Sequence, residues 1–309
     1  MTNPAPFSMR VIILGSAAGG GLPQWNCGCP NCQDARAHGT GRTQSCIAVS
    51  ADGERWVLLN ASPDLRMQVA ARRELWPRGA RSTPISAVVC TDGEIDHTLG
   101  LLLLRESETQ LPVYAPTGVT ALLEREWHVF PVLQAYAGVE PRVLPDGQTV
   151  GLADRSGAQL GIACTAVPVA RRPPRYARQA PAATFDVGLR LVAERTGGTL
   201  AYIPTAGAVD DAVRAIAAGA DLLLFDGTFW SDGELRAAGA DAPTAREMGH
   251  LPVGGTGGSL DLLPRLGVKR TVLVHINNTN PMLCRSSAER AQVETAGIVV
   301  GDDGMEFEL

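Results

Sequence analysis

The order of strand-like and helix-like segments is the feature that most limits the fold of this 309-residue chain, because it repeats in both halves. Short apolar runs rich in β-branched residues are typical of strands, and longer segments that begin at a capping residue are typical of helices. The predicted strands are residues 10–14, 45–50, 55–60, 85–91, 187–192, 200–203, 222–225, 271–276 and 305–309. The predicted helices are residues 62–75, 98–105, 210–218 and 286–296.

Each half begins with strands and continues with alternating strands and helices, which predicts two sheets packed face to face with helices outside. We therefore expect an α/β sandwich in which residues 1–309 form a single domain. The periodicity alone does not exclude a doubly wound parallel sheet. Among the connecting segments, the proline- and arginine-rich residues 169–181 are predicted to be a mobile insertion that could cover a site as a lid.

Charge and hydrophobicity exclude two classes of partner. The chain has 27 basic and 32 acidic residues, so it lacks the clustered positive charge that nucleic acids require. The one basic run is expected to be a solvated loop and comprises Arg171, Arg172, Arg175 and Arg178. No segment approaches the roughly 20 apolar residues that cross a bilayer, and residues 1–10 do not resemble a signal peptide. We expect a cytoplasmic protein without membrane or nucleic-acid partners, and the sequence leaves open whether it forms a homodimer.

Three of the seven cysteines, Cys27, Cys29 and Cys32, lie within six positions in the pattern C-x-C-x-x-C. The odd number of cysteines and this clustering argue against a disulfide framework. Thiolates this close on a turn that contains glycine and proline can converge on one ion, and sulfur ligands favour tetrahedral zinc. We therefore predict a structural zinc site. Three unrelated thiols or a redox C-x-x-C pair are the alternatives, but the strand-to-helix start of a thioredoxin-like motif is not evident.

The spacing leaves the fourth zinc ligand open. The candidates are His38, Cys46, Asn278 and Cys284. Cys90 and Cys164 lie in apolar strand-like runs, and we expect both in the core. The glycine-rich residues 15–21 lack the Lys-Ser/Thr of a P-loop and the spacing of G-x-G-x-x-G, so they are interpreted as a tight loop that leads into the zinc site.

A second cluster, Asp92, Glu94, Asp96 and His97, lies between a predicted strand and the next predicted helix. Alternate carboxylates can point into one pocket, with His97 beside them. Carboxylates this close repel one another, and a bound cation would neutralise them. The alternative is an acidic loop in which Asp96 caps the following helix. We predict that all four residues belong to a reactive metal site, with Asp92 and Glu94 as further oxygen ligands or as contacts that support the other ligands.

Two later histidines and one aspartate are further candidates. His275 ends an apolar strand and opens a polar run, as expected of a metal ligand. His250 lies in a loop before a glycine-rich stretch, where it could bind a metal or donate a proton. Asp226 ends another buried strand and is a candidate bridging or ligand-supporting carboxylate. We predict His250, Asp96 and Asp226 as catalytic residues. The other two histidines are expected at the surface: His38 and His128.

Six segments of the chain closely resemble the pyrroloquinoline quinone (PQQ) biosynthesis protein B family. They are residues 14–32, 42–64, 95–106, 221–230, 248–252 and 275–281, and matching text extends to Met305. That family belongs to the metallo-β-lactamase superfamily, so the resemblance implies a metallo-β-lactamase αββα sandwich. His250 is similar to the late loop histidine of the superfamily's tRNA-processing and phosphodiesterase branches, and His275 is similar to its last metal-binding histidine.

The superfamily signature is H-x-H-x-D-H after a strand, and here Asp92 and Glu94 replace its first two histidines while Asp96 and His97 match its last pair. Oxygen-rich ligation suits iron(II), manganese or magnesium better than two zinc ions. Two histidines and one carboxylate with open positions are typical of a non-heme iron that activates oxygen.

The family is thought to hydroxylate the tyrosine-derived ring of a Glu–Tyr cross-linked diamino acid on the way to the quinone cofactor. The resemblance therefore implies a metal-dependent oxygenase with a small amino-acid- or peptide-derived substrate. It also implies Zn²⁺ on the cysteines and Fe²⁺ in the active site, with Mn²⁺, Mg²⁺ or Zn²⁺ as alternatives there.

Departures from the family pattern leave other functions open. Asp92 stands where the family has Asn, Cys46 where it has Ser, and Asn278 where related phosphodiesterases have the histidine that closes the zinc site. Residues 170–181 and 284–287 also differ, so a paralogue with another aromatic amino-acid or peptide-derived substrate is one alternative. A metal-dependent hydrolase of a phosphodiester, ester or lactam is a second, with His250 protonating the leaving group. A non-catalytic binding or carrier protein is a third. The carboxylate substitutions disfavour a di-zinc hydrolase, and the dense set of ligands disfavours a carrier.

Overall fold

The computed structural model describes residues 8–170, 173–177 and 183–309. Its strands are β1 Arg10–Gly15, β2 Cys46–Ser50, β3 Trp56–Leu59, β4 Ile85–Val89, β5 Leu111–Ala115, β6 Val139–Val143, β7 Thr149–Ala153, β8 Gln159–Ala170, β9 Asp186–Ala193, β10 Thr199–Ile203, β11 Leu222–Asp226, β12 Arg270–Val274, β13 Val299–Val300 and β14 Glu306–Glu308. Its α-helices are α1 Pro30–His38, α2 Leu65–Ala71, α3 Ile95–Thr98, α4 Thr117–Ala121, α5 Val129–Gln134, α6 Asp211–Ala217, α7 Glu234–Ala237, α8 Ser259–Leu262 and α9 Ala288–Thr295. Shorter 3₁₀ or π segments are Arg73–Leu75, Leu99–Glu106, Leu122–Glu126, Arg175–Ala177, Leu263–Leu266 and Pro281–Leu283.

The described strands form two seven-stranded sheets, in the orders β14-β1-β2-β3-β4-β5-β6 and β13-β12-β11-β10-β9-β8-β7. In the first sheet, β14 to β3 are antiparallel and β3 to β6 are parallel. In the second sheet, β7 to β10 are antiparallel and β10 to β13 are parallel. The same internal arrangement in both sheets explains why the order of elements repeats along the chain.

Alternating side chains bury both faces of each sheet. In β1, Val11 and Ile13 pack into the core between the sheets, whereas Ile12 and Leu14 face the outer layer. The outer layer of the first sheet includes apolar residues of α2, α4 and α5, and that of the second includes residues of α6 and α9. The four layers confirm the predicted αββα sandwich.

The helix predicted for residues 98–105 begins earlier than predicted and changes character. It starts as α3 at Ile95, so Asp96 and His97 lie in a helical first turn rather than in a loop. From Leu99 it continues as a 3₁₀ helix. Gly100 packs so closely that a Cβ there would lie 2.2 Å from the Ser62 carbonyl oxygen.

The helix predicted for residues 62–75 is also divided. It forms α2 and a 3₁₀ turn at Arg73–Leu75, because Arg72 between them has extended backbone angles (φ −123°, ψ 109°). Strands β5 to β8 are not predicted by the sequence pattern. Pro112 interrupts the apolar run of β5, and β8 contains Gly161, Pro168 and several alanines, which have low strand propensity.

The ends of four strands meet at one edge of the sandwich. β11 and β12 are parallel neighbours, so Asp226 and His275 emerge side by side at their carboxyl ends. The carboxyl end of β4 in the other sheet leads to Asp92, which pairs with Asp186 at the start of β9. The backbone N–H of Val187 also donates to the Thr91 carbonyl oxygen at 3.0 Å. This edge therefore brings the predicted site residues of both sheets together.

In the part of the chain that the structure describes, none of the helices combines the length and hydrophobicity needed to cross a membrane. The predicted mobile insertion at residues 169–181 lies partly outside the described residues. Its described part consists of the end of β8 and residues 173–177. Pro173, Arg175 and Tyr176 line the cleft over the predicted site, as expected of a segment that covers it.

Candidate metal centres

Asp96, His97 and His275 form one group that could hold a metal. One candidate ligand atom from each residue lies within 4.8 Å of the others. Asp96 Oδ2 is 3.3 Å from His275 Nε2 and 3.8 Å from His97 Nε2, and the two imidazole rings are 5.0 Å apart. The structure thus brings two imidazoles and one carboxylate together.

Local backbone geometry positions these ligands. Asp96 and His97 are adjacent in the first turn of α3, whereas His275 directly follows β12. His275 has φ 55°, a left-handed conformation that costs a non-glycine residue about 1–3 kcal/mol. Gly19 lies against the group, since a Cβ there would be 3.2 Å from Asp96 Oδ2. The glycine-rich loop therefore packs on the reactive site and does not merely lead to the cysteines.

His97 presents one nitrogen that lacks a partner. Its Nδ1 is 2.6 Å from Asp92 Oδ2, whereas its buried Nε2 has no hydrogen-bond partner among the described residues. If Asp92 accepts the Nδ1 proton, Nε2 keeps a lone pair that faces Asp96. A buried imidazole nitrogen left unpaired in this way fits a metal ion.

Asp92 lies behind His97 and outside the metal-binding groups. Asp92 Oδ2 accepts from His97 and from Thr91 Oγ1 (2.8 Å), and Oδ1 accepts from the Glu94 backbone N–H (2.9 Å). Asn60, another residue with positive φ, donates from its side-chain amide to the Thr91 hydroxyl oxygen at 3.0 Å and extends the buried network. Of the two roles predicted for Asp92, the geometry therefore favours the supporting one, in which its carboxylate orients His97.

Thr228 orients His275 in a similar way. The Thr228 hydroxyl lies 2.6 Å from Asp226 Oδ1 and 2.8 Å from His275 Nδ1. A hydroxyl has one proton, so when it donates to the Asp226 carboxylate it accepts from His275 Nδ1–H. His275 Nε2 is then left as a lone pair facing Asp96.

A second group shares His275. Asp226, His250 and His275 also place candidate ligand atoms within 4.8 Å of one another. Asp226 accepts from His250 Nδ1 at 2.7 Å and from the backbone N–H groups of Ala206 and Thr228 at 2.9 and 3.0 Å. With the Thr228 hydroxyl these contacts occupy both of its oxygens, so Asp226 serves first to orient His250.

The charges of the site stabilise one another. Burial opposes ionisation, but His97 and His275 hold the pKa of Asp96 well below its usual range. Burial likewise disfavours the imidazolium form, yet Asp92 and Asp96 raise the pKa of His97 to about 10. Asp226 raises the pKa of His250 in the same manner, against the effect of burial. In the metal-free protein, the proton on His97 balances part of the carboxylate charge, and a divalent cation would replace that proton.

A cleft of about 1570 Å³ opens over both groups. Glu94 lines it but has an exposed side chain and belongs to neither group of potential ligands, unlike Asp96 two positions later. Tyr176 spans part of the rim, and its hydroxyl donates to the Gly93 carbonyl oxygen at 2.7 Å. The cleft gives a substrate access to the site from outside the sandwich.

The three clustered cysteines converge as predicted. Cys27, Cys29 and Cys32 bring their sulfurs within 4.8 Å of one another, in the loop before α1 and in its first turn. The Asn278 side-chain amide faces all three sulfurs, with Nδ2 at 3.1, 3.6 and 3.3 Å in sequence order. Asn and Gln amide orientations are assigned from such contacts, so the same position suits Oδ1 facing an ion.

The other candidates for fourth zinc ligand lie elsewhere. His38 is exposed and contacts Asp34, Cys46 is buried and contacts the Asn60 carbonyl oxygen, and Cys284 is exposed beside Ser286. Asn278 is therefore the candidate that the geometry favours. As predicted, His128 is exposed and both remaining cysteines are buried in the apolar core: Cys90 and Cys164.

The comparisons with known proteins agree with this geometry. Residues 55–276 match the family model of the beta-lactamase superfamily domain. The relative described as coenzyme PQQ synthesis protein B from Cupriavidus necator is 44% identical over 306 residues, covering 97% of this chain and 99% of the relative. The protein of the same description from Methylococcus capsulatus is 43% identical over 308 residues, covering 97% and 100%.

Solved structures give the same result. The crystal structure of Zn²⁺-bound PqqB from Methylobacterium extorquens is 42% identical, with a TM-score of 0.88 over 97% of this chain and 100% of that chain. A diphosphatase of the PhnP family, 23% identical with a TM-score of 0.67, covers 98% of each chain and shares the fold. The chain therefore belongs to the coenzyme PQQ synthesis protein B family of the metallo-β-lactamase superfamily.

Proposed function

We propose that this protein is a metal-dependent oxygenase that hydroxylates a tyrosine-derived amino-acid intermediate in the synthesis of PQQ or of a related peptide-derived compound. The observation that carries the proposal is the group of Asp96, His97 and His275 at the base of an open cleft. Two imidazoles and one carboxylate with further positions open are the ligand set of non-heme iron(II) oxygenases. The relatedness to coenzyme PQQ synthesis protein B supports the pathway.

The three residues would hold the iron through Asp96 Oδ2, His97 Nε2 and His275 Nε2, the atoms that face one another. An iron(II) ion bound there would supply the one-electron chemistry that dioxygen needs to react with an aromatic ring. Asp92 and Thr228 keep the two imidazoles in the tautomer that can bind a metal. Zinc on the three cysteines has a separate, structural role in this proposal.

His250 is the proposed acid or base. Asp226 accepts from its Nδ1, which leaves Nε2 to exchange a proton with a substrate in the cleft. The His250 and His275 rings are stacked with centroids 5.6 Å apart, so this exchange would take place next to the proposed metal. A phenol has an ionisable proton at the atom that activates its ring, so a partly exposed, carboxylate-paired histidine that lines the cleft suits this substrate.

A hydrolase is the second candidate, because Asp226, His250 and His275 could hold another ion beside the first. Two ions about 3.5–4 Å apart are typical of many metal-dependent hydrolases. If His250 bound the second ion instead of protonating the leaving group, its removal would lower the metal content. In the oxygenase, removal of His250 leaves the metal in place.

The experiment reconstitutes the protein with iron(II) under anaerobic conditions and then adds air and a phenolic amino-acid or dipeptide substrate. We expect oxygen consumption and addition of hydroxyl groups to the ring, measured by mass spectrometry with ¹⁸O₂. The His250→Ala variant should retain iron yet lose most turnover, whereas His97→Ala should lose both. Anaerobic zinc-loaded protein that cleaves a chromogenic phosphodiester, with no oxygen-dependent product from the iron form, would establish the hydrolase instead.

A further inference from the structure

One loop connects the two candidate metal centres. Asn278, which faces the cysteine sulfurs, follows His275 by three positions in the segment after β12. Only two residues separate His275 from Asn278, so the backbone path from the reactive group to the cysteine group is short. Any shift of Asn278 would reach His275 through covalently linked residues.

The cysteine loop contacts the segment after β12 at more than one point. Cys29 Sγ lies 3.6 Å from the Asn278 carbonyl oxygen, in addition to the sulfur contacts of the side chain. Asn31, in the first turn of α1, donates from its amide to the carbonyl oxygens of Asn278 and Asn280, each at 2.9 Å. Cys29 and its neighbour Asn31 thus both contact the backbone that follows His275.

The other side of the segment is held by the floor of the reactive site. Asn280 donates from its amide to the Gly227 carbonyl oxygen at 3.0 Å, next to the Thr228 that orients His275. Ile276 donates its backbone N–H to the Ser16 carbonyl oxygen and accepts from the Ala18 N–H, both at 2.9 Å. His275 therefore lies in a backbone segment that is fixed from both sides.

His275 itself gives a reason for this support. Its left-handed backbone conformation is unfavourable for a residue with a side chain and persists only when surrounding contacts impose it. The contacts on the cysteine side come through Asn278, Asn31 and Cys29. An ion among the three sulfurs would therefore act on His275 through the contacts of Asn278.

We infer that Asn278 is a positioning residue that couples the cysteine cluster to His275, so that loss of the Asn278 contact weakens metal binding by Asp96, His97 and His275. The inference rests on the proposed metal binding at these three residues but does not depend on oxygenase chemistry. The cysteine cluster would then have a second role beyond stabilising the fold. Whether it holds an ion would affect the metal affinity of the reactive site. The cysteine cluster and the group of Asp96, His97 and His275 have no ligand in common.

The test measures manganese affinity, since Mn²⁺ prefers oxygen and nitrogen ligands and leaves the thiolates to zinc. Free Mn²⁺ is titrated by electron paramagnetic resonance in zinc-containing wild-type protein and in three variants, with zinc content measured in each. We expect Asn278→Ala to weaken Mn²⁺ binding by about tenfold or more, in the range found for residues that orient metal ligands. Cys284→Ser, an exposed thiol near the same loop, is the matched control and should bind Mn²⁺ like the wild type.

The third variant, Asn278→His, offers an imidazole to the three sulfurs and should restore Mn²⁺ affinity to within about threefold of the wild type. If the imidazole restores Mn²⁺ affinity, the loss in Asn278→Ala comes from positioning and not from a general loss of packing. Asn278→His also keeps the inference testable if Asn278→Ala does not fold. Unchanged Mn²⁺ affinity in Asn278→Ala, or a loss in Asn278→His or in Cys284→Ser as large as the loss in Asn278→Ala, would overturn the inference. A wild-type protein that binds no Mn²⁺, Fe²⁺ or Co²⁺ at these residues would instead remove the proposed metal site on which it rests.

Discussion

The two candidate metal centres of this protein are built in opposite ways. Cys27, Cys29 and Cys32 come from one short loop and lie within six positions of the sequence. The Asp96–His275 pair that defines the other centre joins residues 179 positions apart, from opposite sheets of the sandwich. Sulfur makes the first centre suited to tightly held zinc, and oxygen and nitrogen make the second suited to a metal that exchanges ligands.

This difference separates stability from reactivity. The cysteine centre takes its favoured fourth ligand, Asn278, from the folded chain, so an ion bound there stabilises the folded state. The distant centre forms only after both sheets have packed, and its histidines depend on Asp92 and Thr228 for their orientation. We therefore expect changes at the cysteines to affect stability first and changes at the histidines to affect activity first.

The sharpest test of that separation is His97→Ala. Removing one of three ligands should abolish metal binding at the reactive site and reduce turnover by more than about 100-fold, beyond the loss typical of residues that only orient ligands. Zinc content should remain near the wild-type value, whereas loss of the buried His97–Asp92 pair lowers thermal stability without loss of zinc. His38→Ala, which removes an exposed histidine, is the control. Equal loss of zinc and of reactive-site metal in His97→Ala would contradict the separation.

The reciprocal change is Cys29→Ser. A serine hydroxyl is a poor ligand for zinc, so we expect loss of the zinc and a decrease of about 3 kcal/mol in the free energy of unfolding, as for other lost metal sites. Denaturant titration with zinc analysis measures both quantities. Cys284→Ser is the control, because it shows how losing an exposed thiol changes the free energy of unfolding. Wild-type stability of zinc-free Cys29→Ser would show that the cysteine centre is not structural.

Asp92→Asn tests the carboxylate behind His97. The amide can still contact His97 Nδ1 but no longer supplies the charge that favours metal binding by Nε2, so metal affinity should fall by about 10- to 100-fold. Glu108→Gln removes one negative charge from an exposed position and should leave the affinity unchanged. If Asp92→Asn binds metal like the wild type, the proposed orienting role is wrong.

A smaller effect is expected from pH. The pKa of His97 is raised to about 10 in the metal-free protein, so at neutral pH its imidazole carries a proton that a metal must displace. Proton competition weakens as pH rises, and metal affinity should increase by up to about tenfold per pH unit for each proton released. Competition titrations at pH 6, 7 and 8 measure the slope. An affinity that is flat or decreases with rising pH would contradict this protonation state.

The two centres were not equally predictable from the sequence. The C-x-C-x-x-C spacing predicts the cysteine cluster directly, because neighbours in a loop are also neighbours in space. For the reactive centre, the positions of Asp226 and His275 at strand ends indicate candidates, and the structure brings both to the same edge. The pattern of charges alone could not distinguish Asp96, which faces His275, from Asp92, which lies behind His97.

Other parts of the site carry no local signal. Thr228 and Asn280 are ordinary loop residues in the sequence, and their contacts with His275 and Gly227 depend on how two strands pack. The contact of Gly19 with Asp96 could have been sought, because a glycine-rich loop without a phosphate-binding pattern indicates close approach of another group. The sequence pattern places the start of this helix at residue 98, whereas α3 begins at Ile95. The polar candidate ligands Asp96 and His97 form its first turn, where an apolar pattern gives no helix signal.

The central claim is that two different ions occupy two different ligand sets. The most direct measurement is anomalous X-ray scattering from crystals of zinc-containing protein loaded anaerobically with iron(II), recorded at the iron and zinc absorption edges. We predict a zinc peak among Cys27, Cys29 and Cys32, and an iron peak about 2.0–2.3 Å from Asp96, His97 and His275. Absence of metal between these three residues, or a His275 side chain turned away from His97, would contradict the account.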